Sequence, residues 1–187
     1  DNQELSITLD YWKIEIEDVI NAIAGNDVLD RCYNSDQNPE RDPNNLFCQL
    51  ISRDTAGNVK QVSSKFLNLA ALVTSGIDLQ VNHSFAIAHG TLRTNAFIGF
   101  LNSYEVQNFP NEAFVDEAGT INGTANRAAD NYFHPAMKFT LAPTYEFGDT
   151  SIGLRWRYTS AVEDLTSNNV DIDAYSLFDL SASYRMS

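Results

Sequence analysis

Cys32, Cys48 and the three histidines His83, His89 and His134 are the residues whose chemistry could go beyond packing and solvation. A zinc site would need further Cys or His ligands at short spacing, and neither cysteine has one nearby. Two unpaired buried thiols are the plain alternative. A disulfide fits better, because both cysteines lie in one long Asn/Asp-rich stretch. Such a bond requires an oxidising compartment, the periplasm or the cell exterior. The histidines are scattered: His83 near a strand end, His89 in a turn. No Ser or Cys motif supplies a partnered nucleophile, so the expectation is no catalytic role, no cofactor and no metal. The acidic run Asp36-Gln37-Asn38-Pro39-Glu40-Arg41-Asp42 lacks the glycine and closing glutamate of a calcium loop, and reads as solvated. Asn122-Gly123-Thr124 has the form of a glycosylation sequon.

The elements that carry these residues alternate with period two, the mark of strands with one apolar and one polar face. Ile77, Leu79, Val81 and Phe85 oppose Asp78, Gln80, Asn82 and Ser84. After a turn at residues 86–90, Leu92, Thr94, Ala96, Ile98 and Phe100 oppose Arg93, Asn95 and Gly99, with Phe97 and Leu101 breaking the polar side. Met137, Phe139, Leu141, Tyr145 and Phe147 form a third apolar face. Ile152, Leu154, Trp156 and Tyr158 form a fourth beyond the turn Gly148-Asp149-Thr150. Phe178, Leu180, Ala182, Tyr184 and Met186 form the last. The first strand begins with Leu5, Ile7, Leu9 and Tyr11, then slips phase at Trp12, Ile14 and Ile16, which suggests a bulge or the rim of a sheet. Pro143 cannot donate to a ladder, so a bulge or local break is expected there.

Short and long connections alternate strictly. The long ones run over residues 17–65, 105–135 and 161–173. The first should contain a short helix capped by Asn26-Asp27 and a hairpin turning at Thr55-Ala56-Gly57-Asn58. Short turns at one end and long loops at the other describe a transmembrane barrel. The fold expected is therefore all-β: an antiparallel up-and-down transmembrane barrel segment of about six main strands plus a loop hairpin. Its turns would be periplasmic and its long loops extracellular. Tyr11, Tyr104, Tyr145, Phe147, Trp156, Tyr158, Tyr175 and Tyr184 are expected on the outer face as two interfacial girdles. Lys138, Asp78, Glu146, Arg155, Arg157 and Asp179 belong to the water-facing side, with Thr144 opposite Arg155 and Glu146 diagonal to it.

Composition agrees with this reading. No run of about 18 apolar residues is present, so a spanning helix is excluded, whereas a mean hydropathy of −0.28 is compatible with alternating strands. Twelve Lys+Arg against 25 Asp+Glu give a net charge of −13 and argue against nucleic acid as a partner. A soluble β-sandwich would explain the alternation equally well but would not require the asymmetry of the connections.

With these strands placed, the chain resembles the C-terminal portion of a TonB-dependent outer-membrane receptor barrel. The resemblance is carried by residues 5–18 (LSITLDYWKIEIED), residues 27–33 (DVLDRCY), residues 68–78 and residues 177–184 (LFDLSASY). It extends along nearly all of the chain and implies a single barrel domain over residues 1–187, with the plug domain and the final strands lying elsewhere. It further implies a receptor rather than an enzyme, located in the bacterial outer membrane among lipid and lipopolysaccharide. Its partners would be a TonB-type energy-transducing complex, reached through the plug, and a scarce nutrient such as a ferric siderophore, cobalamin or a glycan. The cysteine pair is similar to one that ties down an extracellular loop in a subset of these receptors. The substrate-binding residues are unknown at this level. A self-contained small barrel, completed to about eight strands by the loop hairpin, is the competing reading.

Overall fold

The computed structural model describes residues 3–34, 38–110, 112–121, 133–164 and 170–186. In chain order the elements begin with β1 (Glu4–Ala22), helix α1 (Gly25–Tyr33), a 3-10 turn at Cys48–Leu50, β2 (Ile51–Arg53) and β3 (Val59–Val62). There follow β4 (Phe66–Ile87), β5 (Gly90–Gln107), β6 (Val115–Asp116), β7 (Thr120–Ile121) and β8 (Phe133–His134). The chain ends with β9 (Met137–Phe147), β10 (Thr150–Thr159), β11 (Glu163–Asp164) and β12 (Tyr175–Tyr184).

The six long strands make one antiparallel sheet in the order β1-β4-β5-β9-β10-β12, and β1 and β12 are its two free edges. Each long strand pairs with its sequence neighbour, which is the up-and-down layout expected. Two-residue turns join β4 to β5 and β9 to β10. Ala88 and Gly148, the first residue of each turn, have φ of 52° and 54°. This is the type II′ geometry that matches strand twist, and glycine meets it without steric cost.

Among the described residues no second layer covers the apolar face. Leu9 is 69% exposed and Leu180 79%, and Leu5, Ile7, Tyr11, Ile152, Leu154 and Phe178 are also exposed. A β-sandwich would bury these side chains against a facing sheet. The buried apolar cluster lies instead among the long connections: Ile23, Val28, Cys32, Phe47, Leu50 and Phe109. A continuous apolar face on a sheet without a covering layer suits hydrocarbon as its solvent.

Several local expectations change. The phase slip in β1 is not a bulge, because β1 and β4 stay in continuous register from Glu4↔Ser84 to Ile16↔Leu72. Instead the two faces exchange character. Below Tyr11 the apolar residues point outward; above it Trp12, Ile14 and Ile16 share the inner face with Asp10, and Lys13 and Glu15 point outward. β12 inverts likewise, with Leu177 and Tyr175 on the inner face beside Asp179. Hydrocarbon asks for apolar side chains outside only as far as the membrane extends; beyond it the outside is water and the inside packs against loops. The eight residue steps from Phe85 to Ile77, about 27 Å of tilted strand, cover most of an apolar band ~25 Å tall. The irregularity in β1 comes later, at residues 16–20, where Asp18 takes φ 55°.

A true bulge occurs in β5. Ser75 pairs with Ser103 but Gly76 with Leu101, so Asn102 is the extra residue. It donates to Ser75 Oγ at 3.1 Å, and the Ser75 and Ser103 hydroxyls lie 2.8 Å apart. One added residue flips the strand's parity, so Tyr104 lies on the inner face and not in the outer girdle. Tyr175 likewise faces inward, opposite Thr159. Pro143 leaves the strand intact: it sits opposite Thr94 on the β5 side, and only the β10 side of the ladder lapses. Register also corrects the expected charge pair. Thr144 lies opposite Gly153, not Arg155, and Glu146 pairs with Arg93 at 3.1 Å. Arg157 pairs with Asp179 at 2.9 Å.

The long connections are knitted together. Cys32 and Cys48 form the disulfide, with Asn38 donating to the Cys32 carbonyl at 2.9 Å. Closing a loop of 16 residues removes about 3 kcal/mol of unfolded-chain entropy. Helix α1 begins after Ala24 with no side-chain cap, so Asn26-Asp27 stands inside the first turn and does not precede it. β2 and β3 form the hairpin foreseen, but as a separate two-stranded sheet that does not join the main one. In the second and third connections, β7 pairs with β8 and, in parallel, with β11.

The hairpin turn carries one pH-dependent prediction. The Asn58 side-chain amide, and then its backbone N–H, hold the Asp54 carboxyl below its ordinary range. A depressed carboxylate stabilises above the unfolded value of about 3.9 and loses that contribution as pH falls through the lower, folded value. Exchange of the Asn58 amide hydrogen, corrected for its intrinsic rate, should therefore speed up at acid pH. The Asp54→Asn variant should lack this acceleration; an identical pH profile in both would refute the assignment.

Candidate functional site

The inner face of the sheet collects what could contact a solute. Near the short turns it is mostly polar: Asn82, Arg93, Asn95, Thr144, Glu146, Ser151, Ser181 and Ser183 share it through the registers of β4, β5, β9, β10 and β12. Arg93–Glu146 and Arg157–Asp179 neutralise each other at spacings of a sheet ladder, leaving serine and threonine hydroxyls between them.

Higher up, at the level where the outer face passes through Tyr11, Ile77 and Phe100, the inner face changes. Gly76 lies opposite Trp12, and a Cβ there would stand 2.4 Å from the indole ring and 2.5 Å from the Phe100 carbonyl oxygen. Glycine lets the indole lie flat against the backbone. Gly99 stands between Asp78 and Lys138 in the register, and the Asp78 carboxylate leans to within 3.2 Å of where its Cβ would be. The result is a recess of about 260 Å³ floored by Gly99 and walled by Trp12, Phe97, Leu101, Phe133 and Lys138. Phe133, His134 and Pro135, from the end of the second long connection, form its upper lip. His134 stacks on Tyr104, centroids 3.8 Å apart, so the β5 bulge that turns Tyr104 inward also helps seat the lip. Lys138 lies 5.6 Å from the centroid of Phe133.

Phe97 is 48% exposed on the inner face, where it joins Trp12, Leu101 and Phe133 in one apolar patch. Sequence reading noticed Phe97 and Leu101 as breaks in the pattern. It missed Trp12, His134 and Lys138 as their neighbours, because the strands are joined only by pairing that no local pattern states.

The outer face carries two aromatic belts. Phe85, Tyr145, Phe147 and Tyr184 lie beside the short turns, where the Tyr145 hydroxyl donates to the Ile87 carbonyl at 3.3 Å. Phe139, Trp156, Tyr158 and Phe178 cluster at the other end with centroids 4.8–5.6 Å apart, and Trp156 donates to Ser176 Oγ at 3.0 Å. Rings with a polar tip suit the boundary between hydrocarbon and headgroups.

Of the other residues singled out, His83 sits on the outer face beside Phe85, with rings 4.8 Å apart, and His89 occupies a turn. Asp36, Gln37 and Asn122-Gly123-Thr124 lie outside the described residues. Among the described residues no cluster of His, Cys, Asp and Glu is arranged to hold a metal ion.

Comparison with curated proteins finds no match. Comparison with protein families matches residues 1–187 to the family described as "TonB dependent receptor-like, beta-barrel". That match spans every strand of the sheet, and it agrees with an apolar exterior, a polar interior and paired turns and loops. The chain belongs to the β-barrel family of TonB-dependent receptors, the receptors and transporters of the outer membrane.

Proposed function

We propose that the chain is one arc of a larger energy-coupled barrel that binds a scarce nutrient at its outer mouth and imports it. The observation that carries this reading is the recess around Phe97, an aromatic contact surface on the inner wall directly beneath the long loops. The free edges support the larger barrel. Unpaired strand edges are not tolerated in hydrocarbon, and six strands are fewer than the roughly eight of the smallest barrels. Further strands would pair with β1 and β12, and the TonB-type complex would act through a plug domain on the same polypeptide. The polar lower wall, with its balanced ion pairs and hydroxyls, is a surface along which such a plug and water can sit.

Deletion of the full-length receptor should produce a growth defect on one nutrient of a panel of limiting carbon and iron sources, and the supported growth should require the proton gradient. The wild-type gene should restore growth, and a Trp12→Ala/Phe97→Asp double variant present at the same level in the outer membrane should not. No nutrient-specific defect, or full restoration by the double variant, would defeat the proposal.

A further inference from the structure

We infer that the recess on the inner wall takes a neutral, polyhydroxylated ring, the chemistry of a carbohydrate unit. This rests on the receptor reading above and narrows its ligand. The lining is electrically balanced: it holds one carboxylate, Asp78, and one ammonium, Lys138. In the register they flank Gly99 from adjacent strands, their backbones about 10 Å apart, with the Asp78 carboxylate leaning over the glycine. An anionic metal chelate would require clustered cations, and here the single lysine faces an acid within a chain of net charge −13. A purely apolar ligand would leave both charges desolvated and unpaired. A sugar ring meets all three surfaces at once. Its C–H face stacks on the aromatic walls Trp12 and Phe97, and its hydroxyls donate to Asp78 and accept from Lys138.

The size agrees. About 260 Å³ is below the ~300 Å³ at which pockets begin to enclose a drug-sized ligand, so one ring of a longer molecule would be held while the rest extends along the wall. Phe133, His134 and Pro135 close the recess on the loop side only, which leaves the course toward the polar lower wall open. There Asn82, Asn95 and Thr144 continue a surface of neutral hydrogen-bonding groups, as an oligosaccharide would need.

The test is calorimetric binding to the purified full-length receptor in detergent. The probes are neutral gluco-, xylo- and manno-oligosaccharides of four to six units, with a ferric catecholate chelate in parallel. The expected result is binding of at least one oligosaccharide series, weakened about tenfold by Trp12→Ala or Phe97→Ala, and changed less than about twofold by raising the salt. Heat-modifiable migration of each variant would establish that its barrel is folded. Salt-sensitive binding of the ferric chelate with no oligosaccharide bound would overturn the carbohydrate inference and leave the receptor reading intact. Binding of neither probe would also overturn it, the receptor reading being decided separately by the growth experiment. Oligosaccharide binding indifferent to both variants would overturn the assignment to this recess.

Discussion

Replacing Arg31 with alanine should loosen the long loops at a cost of about 2–4 kcal/mol to their local stability while leaving the sheet in place. Arg31 projects from α1 into a cage formed by Phe47 and Phe109, its guanidinium carbon 3.4 Å from the Phe109 centroid and 5.9 Å from that of Phe47. It also ion-pairs with Glu112. Phe109 and Glu112 belong to the second long connection, whereas α1 and Phe47 belong to the first, so one side chain clasps two loops. The neighbouring disulfide sets the cage, because Cys32 follows Arg31 and Cys48 follows Phe47. Arg31→Lys should not rescue the clasp, since a point-like ammonium cannot stack flat on a ring. Arg31→Met should recover part of the packing. Hydrogen exchange over residues 25–34 and 108–116 is the measurement; unchanged protection in Arg31→Ala would mean that the two loops are held by other contacts.

Val81→Arg should destabilise the folded barrel in lipid by about 2–4 kcal/mol, and Gln80→Arg, one residue along, should cost far less. Val81 pairs with Ile7 and Ala96 midway along the outer apolar run from Phe85 to Ile77, while Gln80 pairs with Thr8 and Phe97 on the inner wall. A guanidinium at the first position must be drawn into hydrocarbon or distort the bilayer; at the second it meets water. Urea titration of the full-length receptor folded into vesicles reads the difference. Spin labels at Leu79 and Asp78 provide an independent check, the first accessible to oxygen and the second to a water-soluble nickel complex. Equal costs for the two arginines, or equal wetting of the two labels, would remove the lipid-facing assignment and with it the outer-membrane topology of the sheet.

The six strands were legible because alternation is a local property: each strand's apolar and polar residues reveal its period without reference to a neighbour. The two tight turns and the hairpin at Thr55–Asn58 were legible for the same reason, through turn-forming residues at fixed offsets. The cysteine pair was legible from its number and setting. Less legible was anything that depends on which residue lies opposite which. The Glu146 partner was misplaced because the turn closed with Phe147 opposite Thr150 and not Gly148 opposite Ser151, which shifts the register by two residues. Tyr104 was assigned to the wrong face because the bulge at Asn102 has no signature in the sequence around it. The phase change at Trp12 was visible but left open between a bulge and the rim of the sheet, since a local kink and a change of surroundings leave the same trace in one strand. Only the matching inversion at Leu177 and Tyr175 in β12, together with unbroken register in β1, separates the two.

Sequence alone therefore determined the class of the fold, the strands with their apolar faces and the pairing of the two cysteines, because each follows from side-chain chemistry legible at short range. Tertiary structure alone decided the recess and the clasp. Trp12, Phe97, Phe133 and Lys138 come from four separate strands, and Arg31, Phe109 and Glu112 from two separate loops. Register and bulges bring them together, and those depend on hydrogen bonding between segments far apart in the chain, for which no single segment carries the information.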